Sequence, residues 1–194
     1  MGHVPDLFAA LVPGGERLWT YLSIGPCHSE AELAGVVADL LDTPGWVVFA
    51  VCEPGGRAVG FAAYLRVDPA LGTIEIGSVV WSPRLARTAA ATEAIALMAG
   101  HVFDDLGYRR LEWKCDALNE PSRRAALRLG FRFEGVWRQA TLYKGRNRDT
   151  AWFAMTDADW PGVRTAYERW LRVENFDVDG CQRSPLAVPG VGRG

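Results

Sequence analysis

Between Trp81 and Thr92 the chain brings two arginines, a threonine and a run of alanines into a short space: Arg84, Arg87, Thr88, then Ala89, Ala90 and Ala91. Small side chains at the start of a helix let a ligand reach the backbone N–H groups at its positive end, and two cations stand beside them. This is the makeup of a phosphate cradle. A second cluster, Asn119-Glu120-Pro121-Ser122, has the form of a helix start, with Asn119 as N-cap and Pro121 tolerated in the first turn.

The elements that would position these residues follow from periodicity. Asp6–Leu22 reads as helical fragments broken by Pro13-Gly14-Gly15. Ser29–Leu41 is a better helix, with Ser29 and Glu32 spaced as a capping box and an apolar stripe of Leu33, Val36, Val37 and Leu40. Trp46–Cys52 reads as a buried strand, Pro54-Gly55-Gly56 as a turn and Ala58–Val67 as its hairpin partner. Thr73–Trp81 is the next strand, closed by Ser82-Pro83.

Over Thr88–Leu106 the spacing predicts a helix with Ile95, Met98, Val102 and Leu106 on one face and Gly107 as its stop. Strand 109–116 alternates, Leu111, Trp113 and Cys115 on one face against Arg110, Glu112, Lys114 and Asp116 on the other. A helix runs from Asn119 through Leu129. Phe131–Tyr143 and Arg148–Met155 form a hairpin around residues 144–147, Trp160–Arg172 is an amphipathic helix, and Val173–Gly194 is a flexible Pro/Gly-rich tail. A helical crossover from strand 73–81 to strand 109–116 favours a parallel pairing in an otherwise antiparallel sheet. The expectation is a mixed α/β fold, one domain over 1–172 followed by the tail.

A chain of 194 residues with 49% hydrophobic content can bury a sizeable core. A net charge of -2 gives no electrostatic case for nucleic acid or membrane surfaces as partners. With neither a leader pattern nor an apolar run of spanning length, the expected compartment is the cytoplasm. Cys27, Cys52, Cys115 and Cys181 lack C-x-x-C spacing, so they suggest neither a metal site nor a disulfide framework. His3, His28 and His101 stand beside no nucleophile, which argues against a histidine-based hydrolase. The closing G-x-G-x-G follows no strand and precedes no helix, so it is not read as a dinucleotide motif.

Arg84–Ala94 resembles the acyl-CoA pyrophosphate loop of the GCN5-related N-acetyltransferases (GNAT), written Gln/Arg-x-x-Gly-x-Gly/Ala and often followed by the Ala-Thr-Glu-Ala found here at 91–94. Asn119-x-x-Ser122 and Leu129-Gly130-Phe131 resemble that superfamily's second motif, in the branch of the ribosomal-protein acetyltransferases (RimJ/RimL type). The similarity covers most of Trp46–Leu171. Two positions depart from it: Arg87 stands where the first glycine is usual, and Ala89 occupies the second small position. The Arg87 guanidinium either pairs with a coenzyme phosphate or merely caps a surface loop whose donor site is degenerate. The family usually opens with a strand before its first helix, whereas here only Met1–Pro5 precedes helical sequence; the expectation is a sheet that lacks that strand, borrows a replacement or begins from a start codon further upstream.

The resemblance implies acetyl-CoA as co-substrate, no metal, and a strand pair that splays to admit the pantetheine arm. Backbone groups of Val79, Val80 and Trp81 would bind that arm and the thioester carbonyl, with Arg84, Arg87, Thr88, Ala89 and Ala90 at the pyrophosphate. Asn119 would contact the arm and Ser122 would protonate the leaving thiolate, although a capping box explains both. Glu75 matches in type and place the glutamate that some members use as a base, acting through water; an edge-strand charge that solubilises the sheet explains it equally well, and both readings stand. Glu112 and Asp116 are lesser candidates for amine binding. Tyr143, Arg146 and Arg148 lie on a hairpin that helps shape the acceptor pocket in relatives, with Trp19 and Tyr21 on the opposite wall; solvation and core packing explain these equally well.

The function implied is acetyl transfer to a primary amine, a protein N-terminus, a peptide or a small molecule, by direct attack. An antibiotic-modifying acetyltransferase differs only in acceptor, and the alternative from another class is a non-catalytic acyl-CoA-binding regulator. Trp170, Leu171 and Phe176 beyond the last strand suggest a homodimer contact.

Overall fold

Ser29 opens its helix as the spacing predicts. Its hydroxyl accepts from the Glu32 N–H at 3.2 Å, and the Glu32 carboxylate accepts from the His28 N–H at 2.7 Å, so two donors at the helix start are satisfied. Helix α2, Glu30–Asp42, turns Leu33, Val37 and Leu40 inward and leaves Val36 half-buried. Ahead of it stand α1, Val4–Leu11, and two 3-10 turns, Val12–Gly14 and Glu16–Trp19; among the described residues no strand precedes α2.

The computed structural model describes residues 2–190, so the end of the G-x-G-x-G segment lies outside the described residues. Six strands form a mostly antiparallel sheet with one parallel neighbour pair and flanking helices, the mixed α/β class expected. The chain divides into two compact units, Met1–Val67 with Glu75–Ala86, and Asp68–Ile74 with Arg87–Gly194.

The first unit holds α1, α2, strands β1 (Val47–Cys52) and β2 (Ala58–Asp68), and most of β3 (Thr73–Trp81). Its core gathers Leu7, Leu11, Trp19, Leu33, Phe61 and Val80. β1 pairs antiparallel with β2 from Val47↔Tyr64 to Cys52↔Ala58. The buried strand expected at Trp46–Cys52 needs correction: Val47 and Phe49 are 48% and 39% exposed. β1 is the edge strand, covered along one side only, and an unbroken apolar run does not reveal that position.

In the second unit Thr88 caps α3, Ala89–Gly100, which continues into a π turn at His101–Asp105. The Leu106 N–H reaches back five residues to the His101 carbonyl at 3.0 Å. The wider turn shifts the phase of the stripe, so Ile95, Met98 and Val102 are buried while Leu106, expected on the same face, is 42% exposed.

β4 (Arg110–Asp116) pairs antiparallel with β6 (Arg146–Thr156), and β6 with β5 (Arg132–Tyr143). Lys144 and Gly145 close the β5–β6 hairpin with φ of 49° and 73°, the left-handed pair of a two-residue type I′ turn. α4 (Glu120–Arg128) hydrogen-bonds to α3 through the Arg128 guanidinium and the Thr92 hydroxyl at 3.0 Å. In α5, Trp160–Trp170, the last ring meets Phe176 edge-on at 5.1 Å, and Trp170 Nε1 donates to Gln182 at 3.0 Å. Trp170 and Phe176 are therefore occupied within the chain. No helix among the described residues is long and apolar enough to cross a membrane.

Candidate active site

The residues predicted for the site fall into two groups, Glu75, Val79–Trp81 and Arg84 in the first unit and Arg87–Ala90, Asn119 and Ser122 in the second. On β3, Glu75 is only 3% exposed, and one of its carboxylate oxygens accepts from Arg66 Nε at 2.7 Å. It is thus a buried, ion-paired carboxylate rather than a solvated surface charge. Ser78, at φ 45°, occupies the left-handed region just before Val79–Trp81 and breaks the regular strand there. Gly60 of β2 lets this end of β3 come close, because a Cβ at Gly60 would stand 2.7 Å from the Val80 carbonyl oxygen.

Past Trp81 the chain turns tightly. The buried Ser82 accepts the Leu85 N–H on its hydroxyl at 3.3 Å and the Ala86 N–H on its carbonyl at 2.8 Å, and Leu85 is buried. Arg84 is exposed and ion-paired with Glu53, which also accepts from Arg57. Hydrogen bonding from Arg57 leads the causes that hold the Glu53 carboxyl below its ordinary pKa. Arg84 is therefore tethered to the β1–β2 turn.

Arg87 is exposed with φ 66°. The structure thus gives a physical reason for glycine at this place in the family loop: the backbone is left-handed, and an L side chain there is strained. The next residue, Thr88, accepts the Ala91 N–H at 3.2 Å. The cap takes one of the four N–H groups that a helix start leaves over, and the amides of Ala89 and Ala90 have no acceptor within the helix.

Asn119 caps α4 as predicted, its side-chain oxygen accepting the Ser122 N–H at 3.2 Å. The Ser122 hydroxyl accepts from the indole Nε1–H of Trp113 at 3.0 Å. It also touches the Cys115 thiol, whose pKa burial raises while the Ser122 hydrogen bond pulls it down. Trp113 was not among the predicted site residues; the signal available was its place between Leu111 and Cys115 on the inward face of strand 109–116.

Asp116 departs from the outward alternation expected of it. It is 1% exposed, accepting from Tyr143 Oη at 2.6 Å, from Arg146 at 2.5 Å and from the Leu118 N–H at 2.9 Å. Cross-strand neighbours at the hairpin end fold over it, which alternation within one strand does not report. Burial raises the Asp116 pKa, but these hydrogen bonds outweigh it and hold the carboxyl below its usual value. Burial first, then the Asp116 carboxylate, push the Tyr143 phenol up to about 12. Glu112 is ion-paired with Arg110 at 2.8 Å, so both lesser candidates for amine binding are engaged within the sheet. Trp19 is buried, and it lines a cavity of about 220 Å³ in the first unit with Phe8, Leu11, Cys27 and Leu33.

The fold and the two motifs define a class. The family model described as the acetyltransferase (GNAT) domain matches residues 2–132, and the chain belongs to that family of acetyltransferases. It is similar to a GCN5-related N-acetyltransferase from Brucella melitensis, with 47% identity and a TM-score of 0.92 over 95% of this chain and 85% of that one. A "probable" GNAT-family acetyltransferase from Chromobacterium violaceum is 41% identical, with a TM-score of 0.78 over 82% and 80% of the two chains. A spermidine N-acetyltransferase from Vibrio cholerae, in complex with CoA and spermine, shares the fold at 14% identity and a TM-score of 0.65, over 82% and 93%. No curated protein matches the chain.

Proposed function

We propose that this acetyltransferase moves the acetyl group of acetyl-CoA onto a primary amine by direct attack, without a covalent acyl-enzyme, within a single domain spanning 1–172. The observation that carries the reading is the helix start after Arg87. Thr88 caps it, alanines follow, and the amides of Ala89 and Ala90 are left without acceptors in the helix. A coenzyme pyrophosphate supplies the missing acceptors, with the Arg87 guanidinium beside it.

In this reading the coenzyme arm lies along the backbone of Val79, Val80 and Trp81 and meets Asn119. The neutral amine attacks the thioester carbonyl, Glu75 takes the amine proton through water, and the Ser122 hydroxyl gives its proton to the departing sulfur. The Trp113 indole can only donate, so it occupies a lone pair of the Ser122 oxygen without consuming the hydroxyl proton, whose other neighbour is the Cys115 sulfur. The N-x-x-S and L-G-F motifs support the RimJ/RimL-like branch and an acceptor that is a peptide N-terminus or a small amine, handled in the cytoplasm. A homodimer belongs to the same reading, but its contact uses residues other than the mutually packed Trp170 and Phe176.

The test is thiol release from acetyl-CoA in the presence of a panel of primary amines, with the acetylated product identified by mass. Turnover on at least one amine is expected. Tight acetyl-CoA binding with no turnover on any amine would instead favour a regulator that binds the coenzyme.

A further inference from the structure

One face of the β4-β6-β5 sheet carries an excess of cations toward its hairpin end. Antiparallel partners share a face, and the pairs Lys114↔Trp152, Asp116↔Thr150 and Trp137↔Thr150 put Lys114, Asp116, Trp137 and Trp152 on the same side. Thr141↔Arg148 and Tyr143↔Arg146 continue that side to the hairpin turn. Lys114 stands on this face between the carboxylates Glu112 and Asp116, and toward the hairpin Arg146 and Arg148 follow, of which Arg146, with Tyr143, engages Asp116.

Arg148 is the cation left over. It is half-buried, and among the described residues its side chain makes no hydrogen bond or ion pair. Its Nε is buried without an acceptor, and its guanidinium carbon lies 5.6 Å from the centre of the Tyr143 ring. A guanidinium that has lost part of its hydration and gained no counter-ion strengthens whatever anion reaches its terminal nitrogens. Beside it are aromatic walls: Trp137 and Trp152 lie 4.4 Å apart between ring centres, and Trp137 is 61% exposed.

We infer that this face is an oxyanion subsite for the acceptor: the amine substrate carries a carboxylate or phosphate that the terminal nitrogens of Arg148 hold, while its chain lies along Trp137. The substrate class is therefore an amine joined to an oxyanion, such as an amino acid, a short peptide with a free carboxylate or a phosphoamine. This rests on the acetyl-transfer reading for the identity of the ligand, but not for the existence of the anion site. The Arg148 charge also acts on the Cys115 thiol, which follows Lys114 and precedes Asp116 in β4 and faces the other side of the strand.

The experiment compares wild type, Arg148→Met and Arg148→Lys on matched acceptors: an amino acid against its carboxamide, and phosphoethanolamine against ethanolamine. Wild type is expected to favour the anionic member of a pair. Arg148→Met should erase the preference through a KM raised about 10- to 100-fold, the scale of a lost charge-assisted hydrogen bond, with kcat and acetyl-CoA affinity unchanged. Arg148→Lys should restore part of it. No preference in wild type, a preference that survives Arg148→Met, or weaker acetyl-CoA binding in that variant would overturn the proposal; the last result would assign the cation to a coenzyme phosphate.

In parallel, inorganic phosphate is titrated while the indole N–H resonances of Trp137 and Trp152 are followed. Saturable shifts are expected in wild type and not in Arg148→Met, and their absence in wild type would also sink the subsite. Turnover on no amine, with the phosphate shifts intact, would remove the acetyl-transfer reading alone.

Discussion

The indole Nε1–H of Trp113 donates to the Ser122 hydroxyl oxygen at 3.0 Å, joining the middle of β4 to the first turn of α4. Trp113 is 5% exposed and stacks obliquely on Phe131 at 5.6 Å, so the donor is fixed by packing. A fixed donor restricts the rotation of the hydroxyl it serves. If Ser122 protonates the thiolate, Trp113 is a positioning residue for that proton.

Trp113→Phe keeps the aromatic packing and deletes the N–H. We expect kcat to fall about 3- to 10-fold, the scale of one neutral hydrogen bond, with acetyl-CoA affinity unchanged. Combining it with Ser122→Ala should add nothing further to the kinetic loss, because the bond acts through that hydroxyl. Multiplicative effects in the double variant would assign Trp113 a purely structural part. Ser122→Ala itself leaves a buried indole N–H unpaired and should cost about 1–3 kcal/mol of stability, which denaturant unfolding would read.

At Arg87 backbone and side chain can be tested separately. Arg87→Ala keeps the left-handed strain and removes the guanidinium; Arg87→Gly removes both. The glycine variant should be the more stable of the two by about 1 kcal/mol, the cost of holding an L residue in that region. If the guanidinium pairs with a coenzyme phosphate, both variants should bind CoA more weakly by about 1.5–3 kcal/mol in calorimetry. A glycine variant that binds as tightly as wild type would reduce Arg87 to a strained loop residue.

Asp116 links stability to pH. Its carboxyl is held below its usual pKa, so its contribution is fully present above the unfolded value of about 3.9 and is lost as pH falls through the lower folded value. Asp116→Asn should therefore flatten the acid limb of the stability curve below about pH 4. At neutral pH the same variant removes the negative charge from beside Arg146. Because that arginine is 37% exposed, the loss should be about 1–3 kcal/mol, short of a fully buried pair. Identical acid limbs for variant and wild type would remove Asp116 as their source.

Sequence alone reached the caps and the turn because each is decided within four residues: Ser29 with Glu32, Asn119 with Ser122, Lys144 with Gly145. It failed where the answer lay across the fold. Apolar β1 reads as buried until its place at the sheet edge is known, and Asp116 reads as an outward charge until Tyr143 and Arg146 are seen to cover it. Leu106 left its stripe because a π turn changed the helical period, which no residue of His101–Asp105 announces. In the candidate site the motif residues were readable, but the Arg84 tether to Glu53 and the Trp113 bond to Ser122 join segments far apart in the chain.

Glu75 gives the sharpest kinetic test. The Arg66 Nε–H occupies one carboxylate oxygen at 2.7 Å, and Glu75→Gln can still accept that bond through its amide oxygen, so the fold should survive while the base is lost. At low pH the amine acceptor arrives protonated and must shed a proton on the enzyme; at high pH it arrives neutral. The variant should therefore lose most activity at the acid end, about 100-fold if Glu75 is the general base, and recover toward wild type as pH rises. Arg66→Met supplies the control. It removes the ion pair but keeps the carboxylate, so its rate should fall far less and retain the wild-type profile. Parallel pH profiles for Glu75→Gln and wild type would exclude the base role and leave water alone to take the amine proton.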